Sequence, residues 1–212
     1  MFTKDDNKVF DEIIKARWTC RSFTDEVPTK EEIEAIIEAG KAAPYASIAS
    51  KDVVPFRHFF VMFKDDPRLE TIRRLTAEQS AADLEWLLKE EEKDAFLREN
   101  ARGLETLWGH VAESGAPVTK APCLIVMAEW RGARRAERQS LAHMLENMWL
   151  KATALNLDVM ILSIIESMVD NKEFCDLFGL PVGMYGFHAC IIGHHKGEGK
   201  VPKPCTSEIH WL

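Results

Sequence analysis

Two groups of basic residues stand out in an otherwise acidic chain. Arg17-Trp18-Thr19-Cys20-Arg21-Ser22-Phe23 sets two guanidinium groups beside two hydroxyls, and Lys196, Lys200 and Lys203 follow one another near the C-terminus. Guanidinium forks and hydroxyls on a loop suit a phosphate dianion, because they bind it through charge-assisted, often bidentate hydrogen bonds. The chain as a whole has 27 Lys and Arg against 34 Asp and Glu, a net charge of −7. Any anion is therefore held locally, and no global footprint exists for nucleic acid or an anionic membrane.

Other reactive groups give weaker signals. Cys20 lies between Arg17 and Arg21, where cations would lower a thiol pKa. With no His or carboxylate close to it in sequence, it reads as structural or merely reactive before it reads as a nucleophile. His188, Cys190, His194 and His195 could be metal ligands, and strand alternation puts His188 and Cys190 on one face. No second Cys/His pair stands elsewhere at ligand spacing, so no metal is expected. The chain lacks G-x-G-x-x-G after a strand, G-x-x-x-x-G-K-[ST], H-E-x-x-H and G-x-S-x-G, which disfavours a dinucleotide fold and a P-loop enzyme. The five cysteines are odd in number and never spaced C-x-x-C. That usage, with no secretory leader and no apolar run of about 18 residues, implies a reduced, cytoplasmic compartment and no membrane partner.

The elements that must position these groups are read from periodicity. Val9 to Arg17 is a short helix. Thr29 with Glu32 forms a capping box for a helix that ends at Pro44. Arg57 to Phe63 and Cys123 to Ala128 are strands. Between them, from about residue 65 to 120, lies a charged helical insert. Its run Lys89-Glu90-Glu91-Glu92-Lys93-Asp94 reads as a solvated helix face, with a mobile lid over a pocket as the alternative. Leu141, Met144, Leu145, Met148, Trp149, Ala152 and Leu155 form an i, i+3, i+4, i+7 stripe, which predicts a central buried helix. Val159 to Ile165 is continuously apolar, Asp170 with Glu173 caps a helix through Phe178, and Phe187 to Ile192 is a buried strand. Helices come first, strands are scattered between them, and there is no regular βαβ alternation. The fold class is therefore α+β in one domain, 1–212.

In order and spacing these pieces resemble the nitroreductase family of FMN-dependent oxidoreductases. Arg17 to Phe23 resembles its R-R-S-x-R-x-F segment. Val27 through Ile33, Ile36, Ile37, Glu38 and Ala39 to Ala43-Pro44 resembles its helix ending in A-x-x-A-P. Val54-Pro55-Phe56 stands where the family has Q-P-W. Glu146-Asn147-Met148 to Ala154-Leu155-Asn156-Leu157 resembles the family's central helix and its A-x-x-L-G-L exit. Ile191-Ile192-Gly193-His194 stands for I-G-Y-P, and Lys203-Pro204 to Trp211 resembles the basic C-terminal ending. The chain departs from the pattern at Trp18, Thr19, Asn156 and His194. It departs most in Tyr45-Ala46-Ser47-Ile48-Ala49-Ser50-Lys51, which lacks the family's Asn.

The resemblance implies a small, mostly antiparallel sheet wrapped by helices, and an intertwined homodimer with FMN at the interface. It further implies that Arg17, Thr19 and Lys203 hold the phosphate and ribityl chain, with Trp18, Gly193 and Lys200 also binding the cofactor. Arg21 would stand near the pyrimidine edge, and Pro44, Tyr45 and Ala46 would reach the flavin from the partner. The backbone at Ile161, Leu162 and Ser163 would face the ring edge. NAD(P)H would be the reductant and nitroaromatic, quinone-like or related planar small molecules the acceptors, in ping-pong order, with no side chain needed as acid or base. Tyr45 and Lys51 together would favour acceptors that are aromatic and anionic. A non-catalytic flavin-binding dimer, or a flavin-destructive or dehalogenating member of the same fold, is the alternative.

Overall fold

A reciprocal capping box opens each of the first two helices. Thr3 and Asp6 cap α1 (Lys4–Ala16), and Thr29 and Glu32 cap α2 (Lys30–Lys41). Each threonine hydroxyl takes an otherwise orphan N–H while the acid returns to the cap backbone. The first cap moves the start of α1 upstream of the expected Val9. The computed structural model describes residues 1–45, 55–131, 135–199 and 206–212.

After β1 (Arg57–Phe63) the insert folds as α3 (Arg68–Glu91), α4 (Ala95–Asn100) and α5 (Arg102–Ser114). A 3₁₀ turn, Pro117–Lys120, leads into β2 (Cys123–Trp130). The central helix α6 (Glu137–Ala154) then leads into the short β3 (Asp158–Ile161). A second 3₁₀ helix (Ser163–Asp170), α7 (Lys172–Leu177) and β4 (Tyr185–Gly193) complete the order. The cap of α7 is Asn171, whose side chain accepts from the Phe174 N–H at 2.9 Å, and not the expected Asp170. Both side chains can cap, and the preceding 3₁₀ helix already takes in Asp170. Among the described residues no helix is long and apolar enough to cross a membrane.

The four strands form one antiparallel sheet in the order β1-β2-β4-β3. Strand alternation splits the core into two layers. Leu124, Val126, Phe187, Ala189 and Ile191 pack with Leu69, Ile72, Ile165 and Phe174 on one face. Ile125, Met127, Cys190 and Ile192 pack with α2 and α6 on the other. The predicted stripe of α6 is buried from Leu141 to Ala152. Each such apolar side chain contributes roughly 1.5–3 kcal/mol of burial. Helix α2 lies so close to α6 at Gly40 that a Cβ there would come 2.8 Å from Met148 Cγ. At the exit of α6, Asn156 has φ +58°. That left-handed conformation favours Gly and tolerates Asn, which accounts for Asn where the resembled pattern has Gly.

Candidate functional site

The loop that leaves α1 is stitched to β3 and to the turn after β4. Thr19 bridges Val159 in parallel, and the Cys20 N–H donates to the Val159 carbonyl at 3.0 Å. Phe23 bridges His195, Thr24 N–H donates to His194, and Lys196 N–H donates to Ser22. Gly193, paired with Asp158, sits at the same end of β3. Arg17, Trp18, Thr19, Arg21 and Gly193 thus belong to one neighbourhood. Arg17 is about a third exposed; its Nε lies 3.3 Å from Glu146 and its guanidinium 4.4 Å from the Trp149 ring centre. Arg21 is exposed.

Cys20 corrects the expectation of a lowered thiol pKa. The stitching turns its side chain inward, where it is fully buried and its thiol donates to the Ser22 carbonyl at 3.1 Å. Burial pushes the thiol pKa up, and the nearby Asp158 charge adds to the rise. The flanking arginines do not compensate.

At the other end of β3 lies a cavity of about 310 Å³. Its floor is Met160, Ile161, Leu162 and Ser163, and the insert supplies a wall with Trp108 and Val111. Ser163 opens the 3₁₀ helix, whose first N–H groups have no partner within the helix. Ile165 N–H is bonded back to Leu162 at 3.2 Å. On the insert side, Ser80 lines the same cavity and its buried Oγ has no hydrogen-bond partner. Apolar side chains, the Asp83 and Glu166 carboxylates and one orphan hydroxyl line this cavity, a mixture that suits a planar ligand with polar edges.

Pro44 and Tyr45 are placed elsewhere. They line a surface hollow with Ser140 and His143 of α6, and they are not among the residues of the β3 cavity. Arg57 fixes them. Its Nε donates to Glu129 at 2.5 Å, its Nη1 to the Lys41 and Ala43 carbonyls, and its Nη2 to the Pro44 carbonyl and the Ser140 hydroxyl. Tyr45 packs at a tilt of 34° against Phe56, with ring centres 4.4 Å apart. Ala46, Ser47, Ser50, Lys51, Lys200 and Lys203 lie outside the described residues.

The histidines and Cys190 do not converge. His188 Nε2 lies 3.3 Å from Glu166, His194 Nε2 lies 3.7 Å from Glu26, and His195 Nδ1 lies 2.7 Å from Asp158. Cys190 is fully buried in the α6-facing layer. The Asp158–His195 pair, the Arg57–Glu129 pair and the orphan Ser80 were not singled out from the sequence. The two pairs depend on partners that only the folded register brings together, and Ser80 is orphaned only by the packing of the insert.

The chain is thus α+β, with a guanidinium-bearing loop at one end of a short strand and a cavity at the other. The sequence profile of the nitroreductase family matches residues 14–194, and the chain belongs to that family. Many solved structures share the fold, three of which illustrate it. A nitroreductase with bound FMN from Bacteroides fragilis is 22% identical over 94% of each chain, with a TM-score of 0.65. A nitroreductase with bound FMN from Desulfitobacterium hafniense is 20% identical over 100% of each chain, also at 0.65. An FMN-dependent nitroreductase from Clostridium difficile is 16% identical over 97% of this chain and 100% of that one, at 0.64. No curated protein sequence matches the chain.

Proposed function

We propose that the protein is an FMN-dependent oxidoreductase that takes reducing equivalents from NAD(P)H and passes them to a small planar acceptor. One observation carries this reading. The Arg17–Arg21 loop meets β3 at Val159, and the floor of the cavity runs from Met160 to Ser163. At about 3.3 Å per residue the far end of that floor lies up to roughly 13 Å from Val159, which suits an elongated ligand with an anionic tail and a flat aromatic head. The residues fit FMN at both ends.

When bound, FMN supplies hydride acceptance and donation; the chain supplies position and charge. Arg17 and Thr19 would hold the phosphate, with Lys200 and Lys203 from the C-terminal tail. Arg21 would place positive charge toward the pyrimidine side. The N–H groups at the start of the Ser163–Asp170 helix and the Ser80 hydroxyl would meet the polar ring edge. Trp108 and Val111 would exclude water from the face. Two copies of the chain would work together, with Pro44 and Tyr45 contributed by the partner. Helix α1 supports that reading, since it has no buried residue and leaves Val9 56% and Phe10 50% exposed. Apolar faces of this kind are ordinarily covered by another surface.

The test is the visible flavin absorption of the purified protein, followed anaerobically on adding NADH or NADPH. Bound flavin that bleaches supports the proposal. Flavin that does not bleach would leave a binding module, and absence of flavin binding would defeat the reading.

A further inference from the structure

We propose that the cavity beside β3 selects planar acceptors by charge, taking cationic ones and turning anionic ones away, an inference that rests on the FMN reading of that cavity. Its lining includes two carboxylates, Asp83 on α3 and Glu166 on the second 3₁₀ helix, and among the described residues no lysine or arginine. Neither carboxylate has a Lys or Arg partner among the described residues. Asp83 Oδ1 accepts from the neutral amide of Gln79 at 2.8 Å. Glu166 Oε1 lies 3.3 Å from His188 Nε2. His188 is buried, and its Nδ1 accepts the Ala189 N–H at 3.0 Å. The ring proton therefore sits on Nε2, and the imidazole meets Glu166 as a neutral donor. Burial also pushes the His188 pKa down, against the pull of the Glu166 charge. The negative charge on both carboxylates is left for whatever enters the cavity.

Two further features mark a ligand site and not merely a solvated acidic surface. Ser80 is fully buried and lines the same cavity, and its Oγ has no hydrogen-bond partner; a buried hydroxyl of this kind is one that a ligand can satisfy. Trp108 also lines the cavity, and an aromatic ring adds attraction for a cation placed over its face. Arg131 and Arg138 line a separate cavity that Glu166 also borders. There Arg131 is turned to Glu137, at 3.5 Å, and to the Gly183 carbonyl, at 3.0 Å. The preference is opposite in sign to that expected of Tyr45 and Lys51. Tyr45 lies in a different hollow, and Lys51 lies outside the described residues.

The test titrates the full chain, with and without FMN, against benzamidine, benzamide and benzoate by calorimetry. The three share one planar shape and are positive, neutral and negative. In a half-open site each carboxylate should change the affinity of a singly charged ligand about threefold, in opposite directions for the two signs. Benzamidine should therefore bind roughly tenfold to a hundredfold more tightly than benzoate, with benzamide between them, and added salt should narrow the gap. Asp83→Asn and Glu166→Gln keep an acceptor for Gln79 and for His188 and each remove one charge. Each should narrow the benzamidine-to-benzoate ratio by up to about tenfold and leave benzamide affinity unchanged. Equal affinities, tighter benzoate, absence of benzamidine binding, or a ratio that both substitutions leave intact would overturn the inference. An equal loss for all three ligands would also overturn it, because the side chain would then only shape the cavity. A charge preference kept by a chain that does not take up FMN would instead defeat the underlying flavin reading.

Discussion

Arg17 and Arg57 are the same residue in opposite conditions. Arg57 is 8% exposed and its five N–H groups are all engaged by Glu129, three carbonyls and a serine hydroxyl. Arg17 is 32% exposed and has one carboxylate, at 3.3 Å, and one aromatic face. A guanidinium with its fork filled has nothing left for a ligand; one with its fork half-filled does. The contrast separates an arginine that holds the chain from one that can hold an anion. Sequence context alone does not distinguish them.

The largest expected effect is at the filled fork. Arg57→Met leaves Glu129, 4% exposed, without its partner. Unfolding in urea should show a loss of about 3–5 kcal/mol, the usual result of stranding a buried charge. A loss below about 1 kcal/mol would mean that Glu129 finds other support, and the contrast would fail. Arg17→Ala should do the reverse. Stability should change by less than about 1 kcal/mol, since half-exposed ion pairs contribute little. FMN affinity should fall by roughly tenfold to a hundredfold, as expected for a lost charge-assisted contact.

A finer test lies in Glu146, which would compete with the proposed phosphate for Arg17. Glu146→Gln should raise FMN affinity by up to about fivefold, the equivalent of roughly 1 kcal/mol for a surface pair. A decrease would show that Glu146 orients Arg17 for the ligand. The smallest effect concerns Cys20, whose thiol is raised in pKa by burial despite its arginine neighbours. Alkylation mapped by peptide mass should be slow at Cys20 in the native chain and fast in urea. Fast native labelling would mean that the loop opens readily from β3.

Local patterns were legible in the sequence because neighbours a few residues apart decide them. The Thr29–Glu32 capping box, the buried stripe of α6 and strand β1 from Arg57 to Phe63 all appear where the pattern puts them. The fold class followed from element order. The environment of Cys20 was not legible, because a bridge to Val159 sets which way the loop faces. Nor was the Arg57–Glu129 pair, which needs the β1–β2 register to place the two side chains opposite each other. At the candidate site, Ile161, Leu162 and Ser163 do line a cavity, whereas Ser80 and Trp108 reach it only through the packing of the insert. The hydrogen-bonded Asp158–His195 pair spans 37 positions of the chain, beyond the reach of any local spacing rule.

Strand β3 is only four residues long and lies at an edge of the sheet. Exposed edges recruit strands from other chains unless something covers them. Here the cover is the segment around Thr19 and Cys20, which takes the outward carbonyl of Val159. The segment proposed to grip the flavin phosphate is therefore also the guard against edge-to-edge aggregation. Mutations that loosen it should show up first as poor solubility of the flavin-free chain, and ligand supplied during expression should rescue the yield.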